Sequence, residues 1–217
     1  MKLKISKLYL LIICLFSTFL IGCQTNSTNS LSRYGNITQV MALEEKPANE
    51  IAIIPRSAWT NEGPMMFDVQ PMTSIYRMTI HHTAMPDDDE SDLGGSTKLR
   101  LQKILFVHKH KQNWADIGYH YIIDQSGRIW EGRNIKYQGA HAKGLNNLGN
   151  IGIALIGNFE THYPTEIQKK ALVNFVHYLK EKYNIKSSDV YPHEHFRGTK
   201  CPGQHLIPFV EKIHNGL

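Results

Sequence analysis

Three side chains in this 217-residue chain could hold a metal ion together: His81, His193 and Cys201. His81 closes the apolar run Met78-Thr79-Ile80, where an imidazole can project from a sheet edge. His193 follows a second short β-like run, "DVYP" (189–192), and Cys201 comes eight residues later in "HEHFRGTKCPG" (193–203). Two imidazoles and a thiolate are donors well matched to zinc. Three protein ligands leave the fourth tetrahedral position open, which marks a catalytic rather than a structural site. Spacing alone leaves a second reading open, an inert buried thiol beside two unrelated surface histidines.

The elements that must position these residues alternate between strand and helix patterns. "YRMTIHH" (76–82) is β-rich. From Ser96 to about Asn113, Leu101, Ile104, Leu105 and His108 fall on one helical face. "GYHYIID" (118–124) and "GRIWEGR" (127–133) read as a hairpin turned at "QSG", and "IGIALIG" (151–157) as a strand covered on both faces. "PTEIQ" opens a helix with a capping box from Thr165 to Gln168. Its expected buried stripe is Ile167, Ala171, Leu172, Phe175, Val176 and Leu179. A short last helix is expected from about His205 to His214. The acidic run "DDDESD" (87–92) reads as a solvated turn, because its spacing is not that of an EF-hand loop. The fold class is α/β: one domain over residues 51–217, with a central mixed β-sheet flanked by helices.

From Ile53 onward the chain resembles the peptidoglycan recognition proteins and the phage-lysozyme type of N-acetylmuramoyl-L-alanine amidases, the zinc amidases of type 2. The matching pieces occur in family order: "IIPRSAW" (53–59), "TIHHTA" (79–84), "WADIGYHYIID" (114–124), "GRIWEGR" (127–133), "GAHAKG" (139–144), "NIGIALIGNF" (150–159) and "HEHFRGTKCPG". The resemblance implies zinc as cofactor, with His81, His193 and Cys201 as ligands. It implies Tyr119 and Thr199 as catalytic residues and His141 as a substrate-groove residue. The implied reaction is hydrolysis of the amide between N-acetylmuramic acid and L-alanine, with peptidoglycan as the partner. Ala154 stands where amidases that recycle anhydro-muropeptides carry a glutamate, which sets this chain with the recognition-protein and phage types. A non-catalytic peptidoglycan-binding protein is the alternative. Retention of Cys201, Tyr119 and Thr199 favours the enzyme over that alternative. An effector acting on another cell's wall by the same chemistry is a further rival, against which the lipobox-like residues 20–23 argue.

His82 follows His81 on a strand and should face the other way, as a packing or supporting residue. His195 is expected at a rim. Trp114, Trp130 and Tyr137 could stack on sugars, although aromatics near strands more often serve the core.

The first 23 residues read separately. "MKLKISKLYLLIICLFSTFLIGC" is a signal peptide (1–22), and Leu20-Ile21-Gly22-Cys23 resembles the bacterial lipobox. That resemblance implies cleavage before Cys23, lipidation of Cys23 and membrane attachment. The other reading is an uncleaved anchor helix. Residues 23–50 read as a flexible tether rich in Asn, Ser and Thr. Localisation is therefore expected in the cell envelope or periplasm, at the outer membrane if the host is Gram-negative. Removing Lys2, Lys4 and Lys7 takes the net charge from +5 to 5 − 3 = +2, which with no basic stripe excludes a nucleic-acid binder. Cys14 leaves with the signal, so Cys201 has no disulfide partner in the mature chain. A single domain acting on a polymer is expected to be a monomer.

Overall fold

The computed structural model describes residues 51–85 and 96–217. The signal peptide, Cys23, the tether and the acidic run at 87–92 lie outside the described residues.

Six strands form one sheet: β1 (Ile53–Ile54), β2 (Arg77–His82), β3 (Tyr121–Ile123), β4 (Ile129–Glu131), β5 (Asn150–Leu155) and β6 (Val190–Pro192). Their order is β1-β4-β3-β5-β2-β6. The sheet is mixed, as expected. β3 and β4 form the antiparallel hairpin, and all other neighbours run parallel. Every residue of β5 is buried, as its uniformly apolar run implies for a central strand.

Three helices cover the sheet: α1 (Thr97–Phe106), α2 (Glu166–Tyr183) and α3 (Ile207–His214). Strand alternation sorts the core into two clusters. Met78, Ile80, Ile151, Ile153 and Leu155 pack with Leu172, Phe175 and Val176 of α2 and with Val210 and Ile213 of α3. Ile122 and Trp130, offset by one residue from their strand neighbours in that cluster, pack with Leu101, Ile104 and Leu105 of α1.

The capping box forms as read: Thr165 Oγ1 accepts from the Gln168 amide, and Gln168 Oε1 accepts from the Thr165 amide. Three details differ from the sequence reading. Ile167 is 60% exposed rather than buried, because in the first turn of α2 it reaches past the core and rests against Gly127, where a Cβ would meet it at 2.6 Å. The first long helix stops at Phe106 and continues as a π turn over Val107–Lys111, which carries His108. The last helix begins at Ile207, where Pro208 can sit without costing a helical hydrogen bond.

Candidate metal centre

β2 places His81. Arg77, Thr79 and His81 alternate with Met78, Ile80 and His82, so His81 leaves the face that packs on α2 and α3. Its register partner on β5 is Ala154, and Gly152 and Asn150 follow on the same face of that strand. β6 pairs with β2 through Ile80 and Pro192, so the next residue along each strand is His81 and His193. Their rings lie 4.4 Å apart, centroid to centroid.

The loop after β6 brings in Cys201. The Glu194 amide donates to the Cys201 carbonyl at 2.9 Å, and the His205 amide to the Phe159 carbonyl at 3.0 Å. Gly203 has φ +98, and a Cβ there would fall 2.3 Å from the Phe159 carbonyl carbon, so only glycine lets the loop seat this closely. The outcome is a cluster in which one ligand atom each from His81, His193 and Cys201 lies within 4.8 Å of the others.

The protonation pattern inside the cluster follows from a fixed acceptor. His141 Nε2 is 3.1 Å from the Asn150 carbonyl, which can only accept, so Nε2 carries the proton. Burial above all keeps the His141 ring neutral, with the neighbouring His120 acting in the same direction. Its Nδ1 is therefore a bare acceptor, and it receives its hydrogen bond from His81 Nε2 at 3.0 Å. His81 is likewise held neutral, first by burial and then by His141 and His193. Its Nδ1 lone pair must then face the cluster, where Cys201 Sγ lies 3.6 Å away.

The His141 ring is fixed on several sides. A Cβ at Gly152 would come within 2.5 Å of it, and one at Gly139 within 2.4 Å. His120 Nδ1 accepts from the Gly152 amide at 3.0 Å, and its Nε2 bonds the Tyr137 carbonyl at 3.0 Å. Asn147 Oδ1 accepts from the His141 and Ala142 amides.

The residues present fit a metal ion. Both ring nitrogens of His193 are buried and, among the described residues, without a hydrogen-bond partner; a ligated cation would relieve that cost at the nitrogen that bears the lone pair. Burial, then Arg197 and His82, lowers the His193 pKa to about 4, so its lone pair is available. Burial pushes the Cys201 thiol up to about 12, with Glu194 adding to the effect and the His82 carbonyl contact opposing it. A bound cation reverses that balance and stabilises the thiolate.

The remaining predicted residues fall in different places. The Tyr119 ring sits 5.2 Å from that of His81, and burial, then Cys201, raises its phenol pKa. Thr199 Oγ1 accepts from the Cys201 amide at 3.3 Å, and Thr199 lines a cleft beyond the His193–Cys201 loop rather than the cavity over the cluster. His141 lines that cavity, but both its nitrogens are engaged within the protein. His82 accepts from the Phe159 amide through Nδ1, in keeping with a packing role. His195 stacks on Tyr191 in the neighbouring cleft. Trp130 takes the core reading of the two: it is buried, leaving no face for a sugar, and its Nε1–H donates to Asp124 Oδ2 at 2.9 Å. Trp114 does line the cavity.

Sequence reasoning missed His120, Asn147 and Asn150. The signal for Asn150 was present, since Asn150, Gly152 and Ala154 put small or polar groups at alternate positions of an apolar strand, leaving room on that face for a ring.

A mixed sheet with two histidines and a cysteine gathered beside a groove describes an α/β domain with a His-His-Cys cluster that could hold a metal ion. Residues 71–204 match the family described as N-acetylmuramoyl-L-alanine amidase, and the chain belongs to that family. It is 31% identical over 170 residues to peptidoglycan-recognition protein SD of Drosophila melanogaster, over 76% of this chain and 88% of that protein. Among solved structures it is similar to the N-acetylmuramoyl-L-alanine amidase LysC from Clostridium intestinale, at 32% identity and a TM-score of 0.60, over 76% of this chain and 97% of that one. It is also similar to peptidoglycan recognition protein LE, solved with tracheal cytotoxin, at 28% identity and a TM-score of 0.65, over 74% and 93% of the two chains.

Proposed function

We propose that this protein is a zinc-dependent amidase that hydrolyses the bond between the lactyl group of N-acetylmuramic acid and the L-alanine of the peptidoglycan stem. The observation that carries the proposal is the convergence of His81, His193 and Cys201 around buried His193 nitrogens that have no partner among the described residues. Bound at these three residues, zinc supplies Lewis acidity that polarises the scissile carbonyl and makes water a better nucleophile near neutral pH.

The chain's own residues do the rest. His141 fixes the His81 ring so that Nδ1 is the ligand atom. Tyr119, kept neutral by burial, acts as a hydrogen-bond donor that orients the attacking water or the carbonyl, and not as a phenolate base. Thr199, on the neighbouring cleft, accepts a hydrogen bond from the Cys201 amide and so braces the loop that carries this ligand. Trp114 gives the cavity an aromatic wall for the glycan or the lactyl group.

We further propose that residues 1–22 are removed as a signal, that acylated Cys23 anchors the protein to a membrane, and that residues 23–50 tether a monomeric catalytic domain (51–217) within reach of the wall. The sequence Leu20-Ile21-Gly22-Cys23 supports this.

Digestion of intact sacculi tests the activity. Stem peptides with a free L-alanine amino terminus, identified by mass spectrometry, are the expected product. Retention of the protein on sacculi without such release would instead make it a peptidoglycan receptor.

A further inference from the structure

The cavity above His81 and His193 encloses about 470 Å³ and has Trp114, Tyr119, Lys143, Asn147 and Arg197 among its walls. Lys143 and Arg197 bring two full positive charges to it, and among the described residues no aspartate or glutamate lines it; Arg197 also lines the neighbouring cleft, which has Asp189, Glu194 and Glu211 in its walls. Both side chains are exposed. Among the described residues neither has a hydrogen-bond or ion-pair partner for its charged group.

Lys143 is also held in an unusual backbone conformation. It has φ 63 and ψ 124, outside the regions that non-glycine residues favour, and Gly144 follows at φ 56. Strain of this kind persists only where the surroundings enforce it, and it concentrates at functional sites. Here the loop is pinned on both sides. Asn147 bonds the His141 and Ala142 amides and donates to the Gly144 carbonyl at 3.2 Å, while Asn150 Nδ2 donates to the Asn146 carbonyl at 2.7 Å. A rigid turn thus holds a lysine at the wall of the cavity in which the scissile amide would lie.

We infer that the cavity selects stem peptides carrying a free carboxylate close to the scissile amide, with Lys143 and Arg197 as its receivers. This rests on the amidase reading and names the part of the substrate next to the bond. Arg197 offers a planar fork that matches carboxylate oxygens, and Lys143 a compact charge on a flexible stem. With no carboxylate among the described residues lining the cavity, the natural counter-ion is one the substrate brings.

The test uses two muramoyl dipeptides that differ at one group, the second residue bearing either a free carboxylate or its primary amide. Both kcat/KM and binding, followed by calorimetry, are measured on the zinc-loaded protein. A charge-assisted hydrogen bond in such a site should favour the free acid by roughly 10- to 100-fold in kcat/KM. Lys143→Met and Arg197→Met should each shrink that ratio, and Lys143→Arg should keep most of it. Equal rates on the two compounds would overturn the carboxylate proposal and leave the amidase standing. A ratio unchanged in both methionine variants would overturn the assignment to these residues. If neither compound is cut, tighter binding of the free acid that is lost in Lys143→Met would sustain the recognition and remove the amidase. Equal binding of two uncut compounds would remove both.

Discussion

His81 Nε2 stands 3.0 Å from His141 Nδ1, and that bond can have only one polarity. Because His141 spends its own proton on the Asn150 carbonyl, His81 must donate, and its other nitrogen is left for a metal. His141→Ala should therefore weaken zinc binding by about 10- to 100-fold although no ligand changes, the usual effect of losing a group that orients a metal-bound histidine. Competition against a chromophoric chelator measures it. Unchanged affinity would show that the His81 ring needs no such support.

The same ring explains a glycine. Gly152→Ala would push a methyl to 2.5 Å from His141 in a strand with no slack. Destabilisation of about 1–3 kcal/mol is expected from overpacking, together with a fall in zinc affinity. Urea unfolding and chelator competition on the same variant read the two effects, and wild-type values in both would contradict the packing described.

A control variant separates stability from the site. Thr165→Ala removes the capping box that opens α2, and should cost about 1 kcal/mol of folding stability. Its zinc affinity should match wild type, since α2 packs on the face of the sheet opposite His81. Equilibrium urea denaturation is the measurement.

Stability should also fall with acid in a defined window. Burial, ahead of any charge nearby, lowers the pKa values of His108 and His120 to about 4. Unfolded histidine titrates near 6.5, so between about 6.5 and 4 the unfolded chain binds more protons than the folded one. This contribution is complete above about pH 6.5 and is lost as pH falls towards 4, at roughly 3 kcal/mol for each residue. Urea midpoints measured from pH 7 to pH 4.5 should decline, and less steeply in a His120→Asn variant. A flat profile would mean that these rings are not held neutral.

Much of the frame was legible because periodicity reports burial directly. The runs around Ile80 and Ile153 gave strands, "QSG" gave the hairpin, and Thr165 with Gln168 gave a helix start, all from local chemistry. Ile167 misled because the helical stripe is real only where the helix lies against the sheet, and its first turn does not. The three candidate ligands could be named from spacing and family order, but the work of His141 could not. That depends on Gly152 and Asn150, which reach the ring only once β5 has paired with β2 and β3. Trp130 was ambiguous for a similar reason, since its partner Asp124 lies across the hairpin.

The most direct test of the whole account is a zinc titration of metal-stripped protein acting on peptidoglycan. Released L-alanine amino termini should rise in proportion to added zinc, level off at one ion per chain, and stay at background in Cys201→Ala. No release at any zinc level, from protein that still binds both zinc and sacculi, would contradict the assignment of an amidase site to His81, His193 and Cys201.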